Sequence, residues 1–192
     1  KGIKIGELVW KLNKNNNKYE NKILLKSKGF LSSVYSFSGE YLSFGTIEND
    51  IFVPEQYSHT WITKNKKKEM LILFTKNKVS KTSQSPLENE FSRINLFSLK
   101  DYNDPLTSFI NIFNNQKLSK TVDGRRVYNM VVKDGSKEPD RKTIFVEDYI
   151  NIYADHKRND LEKIVFTKKQ NIVLPDLVLV YFKGSIFKIR EN

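Results

Sequence analysis

Short apolar stretches with a period of two, punctuated by turns of Asn, Lys, Asp and Gly, recur along almost the whole chain, a pattern that leads to antiparallel sheet. Residues 3–12 (IKIGELVWKL) and 18–26 (KYENKILLK) flank the polar turn 13–17. The first stretch sets Leu8, Trp10 and Leu12 on one face, and a bulge near Gly6 is expected to reconcile Ile3 and Ile5 with them. Residues 31–47 mix serine with aromatics, and Gly39 and Gly45 mark bends in a long strand or hairpin. In 51–63, Tyr57, His59 and Trp61 share a face, and Pro54 places a bulge or edge near the start. The run 69–75 (EMLILFT) reads as a strand buried on both sides. Further strands are expected at 119–133, 141–153, 161–168 and 177–190, the last a hairpin turning at Lys183-Gly184-Ser185.

One segment breaks the pattern. Asp104 is a good N-cap and Pro105 suits the first helical position. Leu106, Phe109, Ile110 and Phe113 then fall at i, i+3, i+4 and i+7, one apolar stripe on a helix packed against a sheet. The fold class expected is therefore mainly β: an antiparallel curved sheet forming a β-spiral or half-barrel, with one short amphipathic helix at about 104–114. Lys81 to Pro86 reads as loop, and 81–103 is the one candidate linker. The chain is read as a single β-rich domain, residues 1–192.

Composition narrows the chemistry. The 192 residues include no cysteine, which excludes a disulfide scaffold, a thiolate zinc site and a cysteine nucleophile. The two histidines, His59 and His156, lie far apart, so no metal site and no cofactor are expected. No apolar run is long enough to cross a bilayer as a helix. The formal charge of +11 favours anionic partners, yet only six of the 33 basic residues are arginine, the base whose planar fork suits phosphate. Lysine, asparagine and isoleucine abound while alanine occurs once, a composition that AT-rich codons produce without selection for binding. The pieces Lys64–Lys68 (KNKKK) and Lys183–Arg190 (KGSIFKIR) hold basic residues, the first read as a charged hairpin turn. A nucleic-acid partner is the less favoured reading.

The stretch Val122 to Tyr128 (VDGRRVY) stands out, because it sets two arginines side by side. On a strand, Arg125 and Arg126 would face opposite ways, and the inward one must be paired with a carboxylate such as Asp104 or Asp123, or meet an anionic ligand. The candidate ligand-binding residues are thus Asp123, Arg125, Arg126 and Tyr128, with Phe109 and Phe113 of the helix lining or plugging the space beneath. Tyr57, His59 and Trp61 form either a polar-tipped aromatic wall or a half-buried sheet face. Asp155-His156 reads as a solvated turn, and Glu147-Asp148 diverge as strand neighbours. GxSxG, HExxH, GxGxxG and Walker patterns are all missing, so no catalytic residue is assigned and an enzyme is not expected.

The order of features, from IKIGELVWKL through Gly29-Phe30-Leu31, FGTIENDIFVPEQY and DPLTS at 104–108 to VDGRRVY at 122–128, resembles an uncharacterised domain-of-unknown-function family of proteobacterial exported β-proteins with DPL(T/S) and DGRR motifs. The resemblance implies a precursor with a signal peptide, a periplasmic location and a spiral or half-barrel sheet, and it implies no catalytic residues. The expected function is a non-enzymatic cell-envelope protein that binds a lipid-like or anionic envelope component in the concave sheet. The alternatives are a basic nucleic-acid-binding β-protein or a scaffold that binds another envelope protein through sheet edges.

Overall fold

A computed structural model describes residues 5–28, 36–133, 140–153, 160–167 and 173–190. Ile3, the Gly29-Phe30-Leu31 motif and the Asp155-His156 turn lie outside the described residues. The chain is mainly β, with two six-stranded antiparallel sheets and one α-helix, and neither sheet closes into a barrel. The expected single curved sheet is thus two, each a simple meander in which every strand pairs with its neighbour in sequence. By contacts the chain divides into two compact units, Lys1–Phe91 with Asn95–Lys100, and Ser92–Ile94 with Asp101–Asn192. The division falls inside 81–103, the stretch with linker character. Among the described residues no helix is long and apolar enough to cross a membrane.

The first unit holds β1 (Gly6–Asn15), β2 (Lys18–Ser27), β3 (Phe37–Glu48), β4 (Ile51–Thr63), β5 (Lys66–Thr75) and β6 (Lys78–Ser85). β1 runs against β2 in unbroken register from Gly6, so no bulge forms there. The bulge lies further on, where Gly45 meets Pro54 across β3 and β4. A Cβ on Gly45 would sit 2.0 Å from the Val53 carbonyl oxygen, so only glycine allows the two backbones to approach this closely. Proline is tolerated inside β4 because the bulge interrupts the ladder at that point. In β5, Met70, Ile72 and Phe74 are buried, while Leu71 and Leu73 on the other face are only half-buried. The run expected to be buried on both sides is therefore buried on one. β6 corrects a second expectation, since Lys81 to Ser85 is strand and pairs with Leu73 to Glu69. A polar edge strand needs no apolar alternation, and its hydrogen bonds come from the neighbour. A single 3-10 turn, Leu96–Ser98, follows, with Leu96 and Leu99 buried.

The second unit opens with α1 (Pro105–Phe113), then β7 (Leu118–Val122), β8 (Arg126–Val132), β9 (Arg141–Asn151), β10 (Leu161–Thr167), β11 (Leu177–Phe182) and β12 (Ser185–Arg190). Asp104 caps α1 as expected: its Oδ1 accepts from the Leu106 and Thr107 amides at 2.9 and 3.1 Å, and its Oδ2 accepts from the Thr107 hydroxyl. Pro105 at the first position has no N–H to leave unpaired. The helix rests on β7 and β8 and reaches β10, where Phe109 and Phe113 close on Phe166 with ring centroids 5.4 and 5.6 Å away. Its polar side is buried too. The Ser108 and Thr121 hydroxyls lie 2.7 Å apart, Ser119 donates to Ser108, and Asn103 donates to Ser119. These bonds offset the desolvation of four polar side chains and fix how the helix lies over β7. The final hairpin turns at Lys183-Gly184 with φ of 51° and 70°, the left-handed pair that a two-residue connection requires.

Candidate functional site

The two arginines do not share a strand. Arg125 lies in the Asp123-Gly124-Arg125 turn, and Arg126 is the first residue of β8. Asp123 organises this turn. Its Oδ1 accepts from the Arg125 and Arg126 amides at 2.9 and 2.8 Å, and its Oδ2 accepts from Arg126 Nε and faces Nη2 at 2.9 and 2.8 Å. The Arg126 fork is therefore already filled by a carboxylate of the same turn, the internally paired arrangement rather than one awaiting an anion. Burial alone would lower the Arg126 pKa, but Asp123 and the neighbouring Tyr149 and Tyr128 outweigh it and hold the guanidinium above its ordinary value. Tyr128 is buried and stacks on Tyr149 with ring centroids 5.4 Å apart and planes 13° from parallel. Burial, reinforced by the Asp123 carboxylate, raises the Tyr128 phenol well above its usual pKa. Phe109 and Phe113 are 5% and 2% exposed and belong to the packed core with Phe166. Structure thus brings the buried Asp123 and Tyr128 together with the half-buried Arg126 in one cluster, with the half-buried Tyr149 as a member that sequence reasoning missed. Glu147 pairs with Lys133 and Asp148 accepts from the Asn129 side-chain amide, at a shift in the β8–β9 register.

The second constellation lies on the first sheet, and register defines it. One face carries Leu8, Trp10 and Leu12 of β1, and Tyr19, Asn21, Ile23 and Leu25 of β2. From β3 to β5 it continues through Phe37, Tyr41, Ser43, Tyr57, His59, Trp61, Met70, Ile72 and Phe74. Every fully buried residue of these strands is on it, including Asn21, Ser43, Tyr57 and Ile72, which line up in a single row. In the next two rows along the strands most of the same face is half-buried, Gly39 and Met70 being the buried members. One of these rows reads Leu8, Leu25, Gly39, Trp61, Lys68, and the next reads Trp10, Ile23, Tyr41, His59, Met70. Trp61 stacks on Phe37 with planes 11° apart and leans over Gly39, where a Cβ would lie 2.9 Å from its ring. Tyr41 stacks on His59, whose Nδ1 is 3.2 Å from the Tyr57 hydroxyl. Trp10 Nε1 donates to Asn21 Oδ1 at 2.7 Å, and the Tyr19 and Ser43 hydroxyls meet at 3.3 Å. These polar tips bond within the sheet, so what the half-buried rows offer outward is largely hydrocarbon and aromatic surface.

The opposite face is of another kind. It carries Glu7, Lys11, Lys18, Glu20, Lys22, Lys26, Glu40, Lys67, Glu69 and Lys81, with ion pairs such as Lys22–Glu40 at 2.6 Å and Lys67–Glu69 at 2.7 Å, interspersed with the exposed apolar Val9, Leu24 and Ile62. The Lys64-Asn65 turn joins β4 to β5 as the expected charged hairpin. No protein-family model, curated protein or solved structure matches the chain.

Proposed function

We propose that the protein is a non-enzymatic envelope component that binds a lipid-like ligand, with the aromatic face of the first sheet as its contact surface. The observation that carries this reading is the pair of half-buried rows through Leu8, Trp10, Ile23, Leu25, Tyr41 and Trp61. A sugar polymer would need free polar groups aimed at it, whereas the polar tips of Trp10 and Tyr57 bond inside the sheet. A flexible apolar chain needs only hydrophobic area, and burial of such area is worth about 25 cal/mol per Å². We propose a periplasmic setting, which is the expectation that the resemblance to exported β-proteins carries.

The nucleic-acid alternative asks for aromatics and cations interleaved on one surface, so that bases stack while phosphates are neutralised. On the first sheet most lysines lie on the face opposite the aromatic rows, and the aromatic face carries Lys14, Lys66 and Lys68, so cations and rings interleave on it sparsely, which favours the lipid reading.

The chain has two tryptophans, Trp10 and Trp61, and both belong to the half-buried rows. Their fluorescence is therefore a direct probe of the proposed surface. A fatty acid brominated along its chain should quench both in a saturable manner, and unbrominated acid should displace it. Quenching that rises linearly without saturation, or that unbrominated acid fails to reverse, would refute lipid binding at this face.

A further inference from the structure

The second sheet has two unlike faces. Ser119, Thr121 and Phe166, which meet α1, share one face with Ile144, Ile164 and Val178. On the face turned away from α1, one row runs through Phe145, Lys163, Tyr181 and Ile186. The next two rows end on β11 and β12 with Leu179 beside Lys188 and Leu177 beside Arg190. Ile186 is 59% exposed, Lys188 and Arg190 are exposed as well, and Leu177, Leu179 and Tyr181 are half-buried.

The charge on this side is unbalanced. The described strands of the sheet hold three carboxylates, and each is engaged: Glu147 by Lys133, Asp148 by the Asn129 side chain, and Glu162 by the Gly184 amide. Residues 177–190 (LVLVYFKGSIFKIR) contain Lys183, Lys188 and Arg190 and no acid. Lys183 reaches Asp160 at 3.7 Å, whereas Lys163, Lys188 and Arg190 form no ion pair among the described residues. By register these three lie within about 13 Å along the strands and about 10 Å across them, so their fields add. Lys163 Nζ stands 4.4 Å from the Tyr181 ring centroid, and Lys133 Nζ stands 5.4 Å from that of Phe145. These ammonium groups cover ring faces on which nucleic-acid bases would stack. What faces outward is cationic heads on aliphatic stems among isoleucine, leucine and tyrosine. That mixture suits a bilayer interface, where stems and rings meet the acyl boundary while the charges stay among the phosphates.

We infer that this face of β10 to β12 docks on an anionic bilayer surface, with Lys163, Lys188 and Arg190 at the lipid phosphates and Ile186 at the acyl boundary. The inference stands apart from the ligand reading of the first sheet. It uses only residues of the second unit.

The test is sedimentation of the whole chain with extruded phosphatidylcholine vesicles containing none to 40 mol% phosphatidylglycerol. Partitioning should climb steeply with phosphatidylglycerol and fall with added salt. Each basic residue near such a surface is worth about fivefold, so Lys188→Gln/Arg190→Gln should lose about 25-fold and the triple variant with Lys163→Gln on the order of a hundredfold. Both substituted side chains of the double variant are exposed, and an unchanged urea midpoint would show that the fold is kept. The comparison is Lys11→Gln/Lys26→Gln, which removes the same charge from exposed lysines of the first sheet and should keep most of the binding. Ile186→Ser should weaken partitioning several-fold without changing its salt dependence. Equal losses from the two charge variants would reduce the effect to net charge and overturn the assignment of this face. Absence of sedimentation at 40 mol% phosphatidylglycerol would overturn bilayer docking itself. A single-stranded oligonucleotide that binds the parent while vesicles do not, and is lost in Lys188→Gln/Arg190→Gln, would give the face to nucleic acid instead.

Discussion

Removing either partner of the Asp123–Arg126 pair breaks the same ion pair, yet the two losses should differ in size. Asp123 is held by four donors: the Arg125 and Arg126 amides and the Nε and Nη2 of Arg126. In Asp123→Ala the turn loses its acceptor and the Arg126 side chain, 23% exposed, keeps a charge with no carboxylate beside it in that turn. The expected cost is about 3–5 kcal/mol, the range for breaking a largely buried pair from one side. In Arg126→Met the carboxylate keeps both backbone amides, while the guanidinium that stands over the Tyr149 ring at 5.9 Å is lost. The expected cost is about 1–2 kcal/mol. Urea unfolding followed by hydrogen exchange at the β7 and β8 amides reads the second unit directly, which tryptophan emission cannot, since both tryptophans are in the first. With a slope of roughly 1–3 kcal/mol per molar urea, the two variants should separate by about a molar in midpoint. Equal losses, or a larger loss for Arg126→Met, would refute the reasoning that Asp123 organises the turn. An Arg126→Met protein of full stability that no longer retains an anionic ligand would instead make Arg126 a ligand-binding residue.

The buried phenol of Tyr128 gives a pH dependence of definite sign. Its pKa is raised in the folded state, by burial first and then by the Asp123 carboxylate, so above about pH 10 the unfolded chain releases a proton that the folded chain keeps. Stability contributed by the neutral phenol is present in full below pH 10 and is lost as the pH rises beyond it; Tyr149, raised mainly by its partial burial, acts in the same direction. Unfolding midpoints between pH 9 and 11.5 should fall, and Tyr128→Phe should reduce the slope; an unchanged slope would mean that Tyr128 titrates like an exposed phenol. At Gly45 an added Cβ meets backbone atoms only, Val53 O, Glu55 N and Pro54 Cα, so Gly45→Ala should part β3 from β4 at the bulge. The expected loss is at least about 3 kcal/mol, seen as a lower urea midpoint of tryptophan emission, and a variant within 1 kcal/mol of the parent would count against the bulge geometry.

The elements legible in the sequence were those whose signal is local. Asp104-Pro105 with the Leu106, Phe109, Ile110, Phe113 stripe places α1 to within a residue, because capping chemistry and a 3.6-residue period act within one segment. Gly184 and Pro54 likewise mark a turn and a bulge through constraints on their own backbone. What local pattern could not supply was pairing. Lys81 to Ser85 reads as loop because nothing in KTSQS alternates, and only the neighbouring β5 makes it a strand. Arg125 and Arg126 read as strand neighbours because Asp-Gly could begin a turn of several lengths; the structure ends it after Arg125. The buried Ser108, Ser119 and Thr121 network had one visible trace, hydroxyl residues two apart on β7, which is also how an exposed strand face looks.

The same distinction decides what the net charge means. A charge of +11 read as a sum points to any anionic partner, and most of the lysines behind it are ordinary solvated side chains. Position on the sheet changes the question from how many charges there are to which face each one occupies. The bulge between Gly45 and Pro54 shifts the alternation of β4 by one residue, and without it Tyr57, His59 and Trp61 would fall on the lysine-rich side. With it, those aromatics join Trp10 and Tyr41, and the carboxylates of β1, β2, β3 and β5 all turn away from them. One residue of register therefore determines whether Tyr57, His59 and Trp61 share a face with Trp10 and Tyr41 or with the carboxylates of the neighbouring strands.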